Sequence, residues 1–210
     1  MDLPKEAAAY ARADFSAVNA AFVERLLEVA GDRREARAID LGTGPGDIAI
    51  RVALARLAWC VTALDASDAM LVIAREAASA DGANVEFVRG DAKATCLPGA
   101  SFDVVFSNSL LHHMPDPLPL WREIARMAAP NAVIFLRDLI RPATEGAARR
   151  IVEQYATGES ELLKEEFHRS LLAAFTADEI REQLRATGLE YLSLQPSSDR
   201  HVDVFGVARA

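Results

Sequence analysis

The chain has 210 residues, of which 51% are hydrophobic and 26% are charged, proportions that are typical of a globular protein and exclude a disordered one. The 23 Lys and Arg against 31 Asp and Glu give a formal net charge of −8, which argues against a protein that grips a nucleic-acid backbone, because that needs a basic face. Cys60 and Cys96 lack the spacing of a zinc site or a disulfide framework, and no apolar run approaches the roughly 18 residues of a membrane span. We therefore expect one cytoplasmic domain over residues 1–210, with no metal, no nucleic-acid partner and no membrane partner.

Helical and β-type segments alternate along the first two thirds of the chain. Apolar residues recur at spacings of three and four over residues 7–30, which is the periodicity of an amphipathic helix and makes 1–30 an N-terminal helical region. Further along, short apolar runs and helical periodicity predict strands at 36–41, 60–64, 85–88, 102–106 and 132–136, and helices at 47–58, 67–80 and 117–128. Strands that alternate with helices in this way form a parallel sheet with helices on both faces.

The last third of the chain departs from this alternation. Residues 139–175 are helical in composition and contain no β-type run, and we expect them to form a helical lid over the sheet edge because they follow the fifth strand. A capping box that starts at Thr176 opens another helix, to residue 186. Two β-type runs, 189–194 and 202–207, are joined by a short turn-rich link, which predicts antiparallel neighbours.

A glycine-rich loop, Asp-Leu-Gly-Thr-Gly-Pro-Gly over residues 40–46, lies where the first strand meets its helix. In a doubly wound sheet this is the ligand crevice, although a tight turn without a ligand is the alternative. The dinucleotide fingerprint would need Gly or Ala at the position of Asp47, whose charge would repel a pyrophosphate at the helix N-terminus. The loop therefore predicts a ligand that lacks phosphates and is able to carry positive charge.

Acidic residues follow the next two predicted strands. Asp65 ends the second strand, where a carboxylate commonly accepts hydrogen bonds from two ribose hydroxyls; capping the next helix is the alternative, but Ser67 can also do that. Asp91 follows the third strand and either presents a carboxylate to an adenine amino group or begins a loop. Together with the glycine loop, these positions suggest a nucleoside.

In order and spacing, several segments resemble the class I S-adenosylmethionine-dependent methyltransferases. The matching segments are 40–46, 64–67 (Leu-Asp-Ala-Ser), 90–92 (Gly-Asp-Ala), 101–114 and 121–131. The resemblance implies a doubly wound α/β sheet of seven strands in the order 3-2-1-4-5-7-6, with the last strand antiparallel, and S-adenosyl-L-methionine as the cofactor. One departure is Asn131, where the family usually has Gly; because Asn tolerates the left-handed conformation, the turn should survive.

The resemblance also implies which residues surround the cofactor. Residues 42–44 would lie against its methionine part, Asp65 would hold the ribose, and Asp91 and Ala92 would face the adenine. The full set of expected cofactor contacts is Asp40, Gly42, Thr43, Gly44, Gly46, Asp65, Ala66, Met70, Asp91, Ala92, Ser107 and Asn108.

Two adjacent histidines, His112 and His113, follow the fourth strand, at the edge where active-site groups collect. Either could serve as a general base for an acceptor that carries a proton, since histidine changes its charge near neutral pH. Some O-methyltransferases carry a basic histidine at a comparable place, which favours His112. The alternative is that one of them caps the turn at Asp116 and the other packs or hydrogen-bonds a carbonyl.

The sequence therefore predicts an enzyme that transfers a methyl group from S-adenosylmethionine to a small-molecule acceptor by in-line displacement. An RNA or protein methyltransferase is the second hypothesis, and the net charge of −8 argues against RNA. A non-catalytic protein that binds S-adenosylmethionine on the same fold is the third, because a fold does not fix a function. The sequence gives no indication of the oligomeric state.

Overall fold

The computed structural model describes residues 16–209. Residues 7–15 of the predicted N-terminal helix lie outside this range. The rest of that helix is α1, Ser16–Ala30, and it buries Phe22 and Leu26 against the sheet.

Seven strands and seven helices make up the described part of the chain. The strands are β1 (Ala36–Leu41), β2 (Trp59–Asp65), β3 (Val85–Arg89), β4 (Phe102–Asn108), β5 (Ala128–Leu139), β6 (Ser193–Pro196) and β7 (His201–Val207). After α1, the helices are α2 (Asp47–Ala55), α3 (Asp68–Asp81), α4 (Leu118–Met127), α5 (Glu145–Tyr155), α6 (Glu161–Ala173) and α7 (Ala177–Ala186), and a 3-10 turn spans Leu111–His113.

The strands form one sheet in the order β3-β2-β1-β4-β5-β7-β6, as the family resemblance implied. The first five strands pair in parallel, while β7 runs antiparallel to both β5 and β6, which confirms the prediction from the short link between the last two strands. The carboxyl ends of β1 to β5 therefore meet at one edge, and because β7 is antiparallel, its first residue, His201, also lies at this edge, opposite Leu139.

A hydrophobic core covers each face of the sheet, because successive side chains of a buried strand point to opposite sides. In β1, Ile39 and Leu41 pack on the side of α4 and α7, whereas Ala36 and Ala38 pack on the side of α1 and α2. The doubly wound α/β arrangement is thus confirmed.

The largest differences from the predicted element boundaries concern the strands β6 and β5. The predicted strand 189–194 begins only at Ser193, because Leu189 and Leu192 belong to a buried turn in which the Leu192 amide donates to the Leu189 carbonyl. Strand β5 extends beyond the predicted 132–136 in both directions. The extension at the C-terminal end of β5 contains Arg137 and Asp138, two charged residues that are both buried.

The helical insert predicted over residues 139–175 contains α5 and α6, with Gly158 at a φ of 89° in the turn between them. The two helices share a small apolar core that includes Ile151 and Leu171, and α6 contacts the 3-10 turn at the sheet edge. Asn131 has a φ of 63°, so the left-handed turn does survive with Asn in place of Gly. None of the helices in residues 16–209 is long and apolar enough to cross a bilayer.

Candidate active site

The glycine loop joins β1 to α2 through three left-handed residues: Gly42, Gly44 and Gly46 have φ values of 73°, 56° and 86°. The amides of Gly42 and Thr43 donate to the Leu64 carbonyl at 2.8 and 3.0 Å, and these two bonds bind the loop to the end of β2. Residues with a Cβ rarely adopt such φ values, so the backbone of the loop favours glycine at these three positions.

The surroundings of the three glycines differ. A Cβ on Gly42 would lie 2.8 Å from the side chain of Leu110, and one on Gly46 would lie 2.8 Å from Ala74 Cβ, so both positions are closed by packing. A Cβ on Gly44 would meet no atom within 4 Å. The loop therefore presents the backbone of Gly44 to open space at the sheet edge, where a ligand could approach it closely.

Asp65 lies at the end of β2 and its carboxylate is held by two backbone amides. Gly44 N donates to Oδ2 and Ser67 N to Oδ1, both at 2.8 Å. Each carboxylate oxygen has a second lone pair, so the group can still accept hydrogen bonds from a ligand. The helix-capping role falls to Ser67, whose hydroxyl accepts from Met70 N at the start of α3.

Asp40 is buried beneath the glycine loop, only 2% exposed, and accepts a hydrogen bond of 2.8 Å from the Thr43 hydroxyl. The pKa of Asp40 is raised to about 7, chiefly by desolvation; the Thr43 hydrogen bond lowers it, and the charge of Asp65 makes a smaller contribution that raises it. A positive charge near this loop would favour the ionised carboxylate.

The loop after β3 lies beside Asp65, because Gly90 N donates to the Asp65 carbonyl at 3.0 Å. Asp91 itself is exposed, and its carboxylate accepts from Lys93 Nζ and from Lys93 N, contacts that lower its pKa. Of the other expected contacts here, Ala92 and Met70 are buried and Ala66 is exposed.

At the end of β4 lie two further expected cofactor contacts, Ser107 and Asn108, which differ in exposure. Ser107 is 1% exposed and its hydroxyl donates to the Leu41 carbonyl at 2.6 Å, so it joins β4 to β1. Asn108, the next residue, is half-buried at the strand end. Ser109 follows with a φ of 57°, a left-handed conformation that turns the chain so that Leu110 packs on Gly42.

His112 is buried and its Nδ1 lies 2.6 Å from Oδ1 of Asp138, at the end of β5. Among the described residues neither histidine ring hydrogen-bonds to the turn at Asp116, the expected alternative; the Asp116 carboxylate accepts from Leu118 N. Sequence reasoning missed Asp138, which is 26 residues away in the chain. The charged pair Arg137-Asp138 at the end of an apolar strand was the available signal.

His113 stacks on His112 with ring centroids 4.0 Å apart and is the more exposed of the two. Its pKa is lowered to about 4, chiefly by desolvation and secondly by the charge of His112, while Asp138 opposes the shift. In residues 16–209 no three His, Cys, Asp or Glu side chains are grouped so as to hold a metal ion.

The strand order, the glycine turn and the acidic residue after β2 define the fold of the class I methyltransferases. In agreement, residues 38–131 match the family model described as a methyltransferase domain. Residues 38–131 of the chain are therefore a methyltransferase domain, and the cofactor of class I methyltransferases is S-adenosylmethionine.

Individual relatives extend over more of the chain. The 27-O-demethylrifamycin SV methyltransferase of Amycolatopsis mediterranei is 33% identical over 170 residues, which are 80% of this chain and 58% of the relative. A ubiquinone biosynthesis O-methyltransferase of Xanthomonas euvesicatoria is 30% identical over 135 residues, 64% of this chain and 54% of the relative. The chain thus spans about half the length of the curated relatives it matches.

A solved structure with the same fold is a SAM-dependent methyltransferase from Aquifex aeolicus, with a TM-score of 0.73 over 98% of both chains at 18% identity. Phosphoethanolamine N-methyltransferase 2 of Haemonchus contortus, solved with S-adenosyl-L-methionine, has a TM-score of 0.69 at 19% identity over 92% of this chain and 53% of that one. At such low sequence identities, these two comparisons show only that the folds are similar.

Proposed function

We propose that the chain catalyses methyl transfer from S-adenosylmethionine to a hydroxyl group of a small molecule in the cytoplasm. The observation that carries the proposal is that the glycine loop, the end of β2 and the turn after β4 lie together at one sheet edge. Gly44 faces open space and its amide holds the Asp65 carboxylate, while Leu110, next to the histidine turn, packs on Gly42. A cofactor site and a pair of candidate bases are therefore neighbours.

The residues present fit the cofactor. The open face of Gly44 leaves room for a close approach of the backbone, and the remaining lone pairs of Asp65 suit two ribose hydroxyls. Asp40 provides negative charge beneath the loop when it is ionised, which suits a cation rather than a pyrophosphate. When bound, S-adenosylmethionine supplies an electrophilic methyl group on a positively charged sulfur.

The choice of a small-molecule hydroxyl as acceptor rests on the relatives and on the chemistry of the site. The two curated relatives described above are named for O-methylation of small molecules. A hydroxyl acceptor loses a proton on methylation, and His112 or His113 could take it. The net charge of −8 disfavours an RNA acceptor.

Thermal unfolding with and without S-adenosylmethionine tests the cofactor site. Ligand at about 100 times its dissociation constant should stabilise the parent protein by roughly 2.7 kcal/mol. Asp65→Ala removes the acceptor for the ribose, and Gly44→Val puts a side chain into the open space, so each variant should lose most of this shift.

Two substitutions serve as matched controls. Gly31→Val strains a glycine with a φ of 65° that faces open space after α1, and Asp68→Ala removes an exposed carboxylate that pairs with Arg89. Both should keep the full response to the cofactor. If Asp65→Ala and Gly44→Val respond like the parent, the proposed site is wrong.

A further inference from the structure

We propose that His112 is the catalytic base and that Asp138 is its positioning residue, which holds the ring with Nδ1 protonated and Nε2 free to take the proton of the acceptor hydroxyl. The inference rests on the proposed function for the identity of the acceptor. The contact between the His112 and Asp138 side chains is seen in the described structure, and it is tested separately.

Three donors converge on the Asp138 carboxylate. Leu111 N donates to Oδ2 at 2.6 Å, Leu139 N donates to Oδ1 at 2.7 Å, and the same Oδ1 lies 2.6 Å from His112 Nδ1. Both side chains of the pair are 5% exposed. A carboxylate held between two backbone amides cannot rotate away, so the orientation of the His112 ring is fixed as well.

The tautomer of His112 follows from these contacts. Both oxygens of Asp138 already accept from backbone amides, so the group acts as an acceptor towards the ring, and His112 Nδ1 donates and carries the proton. A neutral imidazole has one N–H, which leaves a lone pair on Nε2. Nδ1 is thus committed to Asp138, and Nε2 is the atom that can act as a base.

Nε2 of His112 is not fully enclosed, although the side chain as a whole is buried. Among the described residues, the side-chain polar atoms that are fully enclosed and lack a hydrogen-bond partner are Arg56 Nε and His168 Nε2. His112 Nε2 is not one of them, and the one hydrogen bond of its ring is that of Nδ1 to Asp138. Among the described residues its lone pair therefore has no hydrogen-bond partner, and the nitrogen is not fully enclosed.

His113 lacks this support. Within residues 16–209 its ring makes no hydrogen bond to a carboxylate, and its lowered pKa of about 4 keeps it neutral near pH 7. When His112 accepts a proton, the new positive charge is stabilised by the directly bonded Asp138, whereas desolvation of the His113 ring opposes a positive charge there. The two adjacent histidines therefore have different roles.

The chemical step then balances. His112 Nε2 takes the proton from the acceptor O–H, and the acceptor oxygen uses a lone pair to form the new bond to the methyl carbon. The bond from that carbon to sulfur breaks, and its electron pair stays on sulfur as the positive charge there disappears. The methylated acceptor, the demethylated cofactor and a protonated His112 remain, and the proton then passes to solvent.

The tautomer can be measured directly by long-range ¹H–¹⁵N NMR of the full chain labelled with ¹⁵N, with His112→Gln to assign the signals. We expect a protonated Nδ1 and an unprotonated Nε2 in the parent at neutral pH, and loss of this preference in Asp138→Asn. Asp116→Asn, which changes an exposed carboxylate in the same loop, should leave the ring signals unchanged. A proton on Nε2 in the parent, or an unchanged tautomer in Asp138→Asn, overturns the proposal.

Accessibility is tested on the parent protein alone, so it does not depend on the folding of a variant. Diethyl pyrocarbonate modifies unprotonated, accessible imidazole nitrogens, and peptide mass spectrometry should find His112 modified at neutral pH. A His112 that stays unmodified in the folded protein overturns the proposal, because the acceptor could not reach Nε2. Neither readout needs a cofactor, so a failure of the proposed function, seen as absent S-adenosylmethionine binding, is separate from a failure of this pair.

Discussion

At the scale of single residues, Asp40 combines deep burial with a position beneath a ligand loop. Its pKa is raised from 3.8 to about 7, so in the folded protein the carboxyl is protonated at mildly acidic pH, whereas in the unfolded chain it is ionised. The folded state binds the extra proton between these two values. Stability due to Asp40 is therefore lost as the pH rises from about 4 to about 7.

Asp40→Asn tests this linkage. Because the amide cannot ionise, the variant should gain stability relative to the parent as the pH rises, by about 3 kcal/mol between about pH 5 and about pH 8. Denaturant unfolding of both proteins at the two pH values measures the difference. Parallel pH dependences of the two free energies of unfolding would show that Asp40 is ionised throughout.

Residues of the site were predictable where a backbone conformation or a fixed place in the fold required them. The glycine loop and Asp65 belong to this group. The His112–Asp138 contact was not predictable, because it depends on how far β5 extends and where the chain leaves β4, and neither is encoded in local periodicity. Ser107 shows the same limit, since only the register with β1 turns its hydroxyl inward.

At the scale of elements, the contact between α6 and the 3-10 turn connects the helical insert with the candidate base. Leu171 on α6 is fully buried in the small core that α5 and α6 share, together with Ile151 and Ala148. Helical composition predicted these helices, whereas the side chains by which they pack depend on tertiary contacts. Because the insert has a small core of its own, one truncation should loosen it while the rest of the sheet stays intact.

Leu171→Ala should destabilise the insert by about 2 to 5 kcal/mol, the usual cost of such a cavity. Hydrogen exchange should accelerate in α5 and α6, while the thermal shift caused by S-adenosylmethionine should persist, because the proposed cofactor residues lie on other elements. Leu162→Ala is the matched control, since Leu162 lies on the same helix but is 66% exposed. Equal hydrogen exchange in the two variants would contradict the account of the insert.

At the scale of the whole molecule, the sheet order brings together residues that are distant in the chain. The parallel strands place the ends of β1, β2, β4 and β5 at one edge, so Gly44, Asp65, His112 and Asp138 lie at that edge although they span almost a hundred residues. The alternation of elements predicted the parallel part of the sheet, and the short final link predicted its antiparallel end. The order of the strands came from the family resemblance, because periodicity does not specify which strands are neighbours.

The central claim is that this edge binds S-adenosylmethionine and its demethylated product and not a dinucleotide. Isothermal titration calorimetry of the parent protein with S-adenosylhomocysteine and, separately, with NADH tests it most directly. We expect saturable binding of S-adenosylhomocysteine at one site per chain, lost in Asp65→Ala, and no binding of NADH. Saturable binding of NADH without binding of S-adenosylhomocysteine would contradict the account.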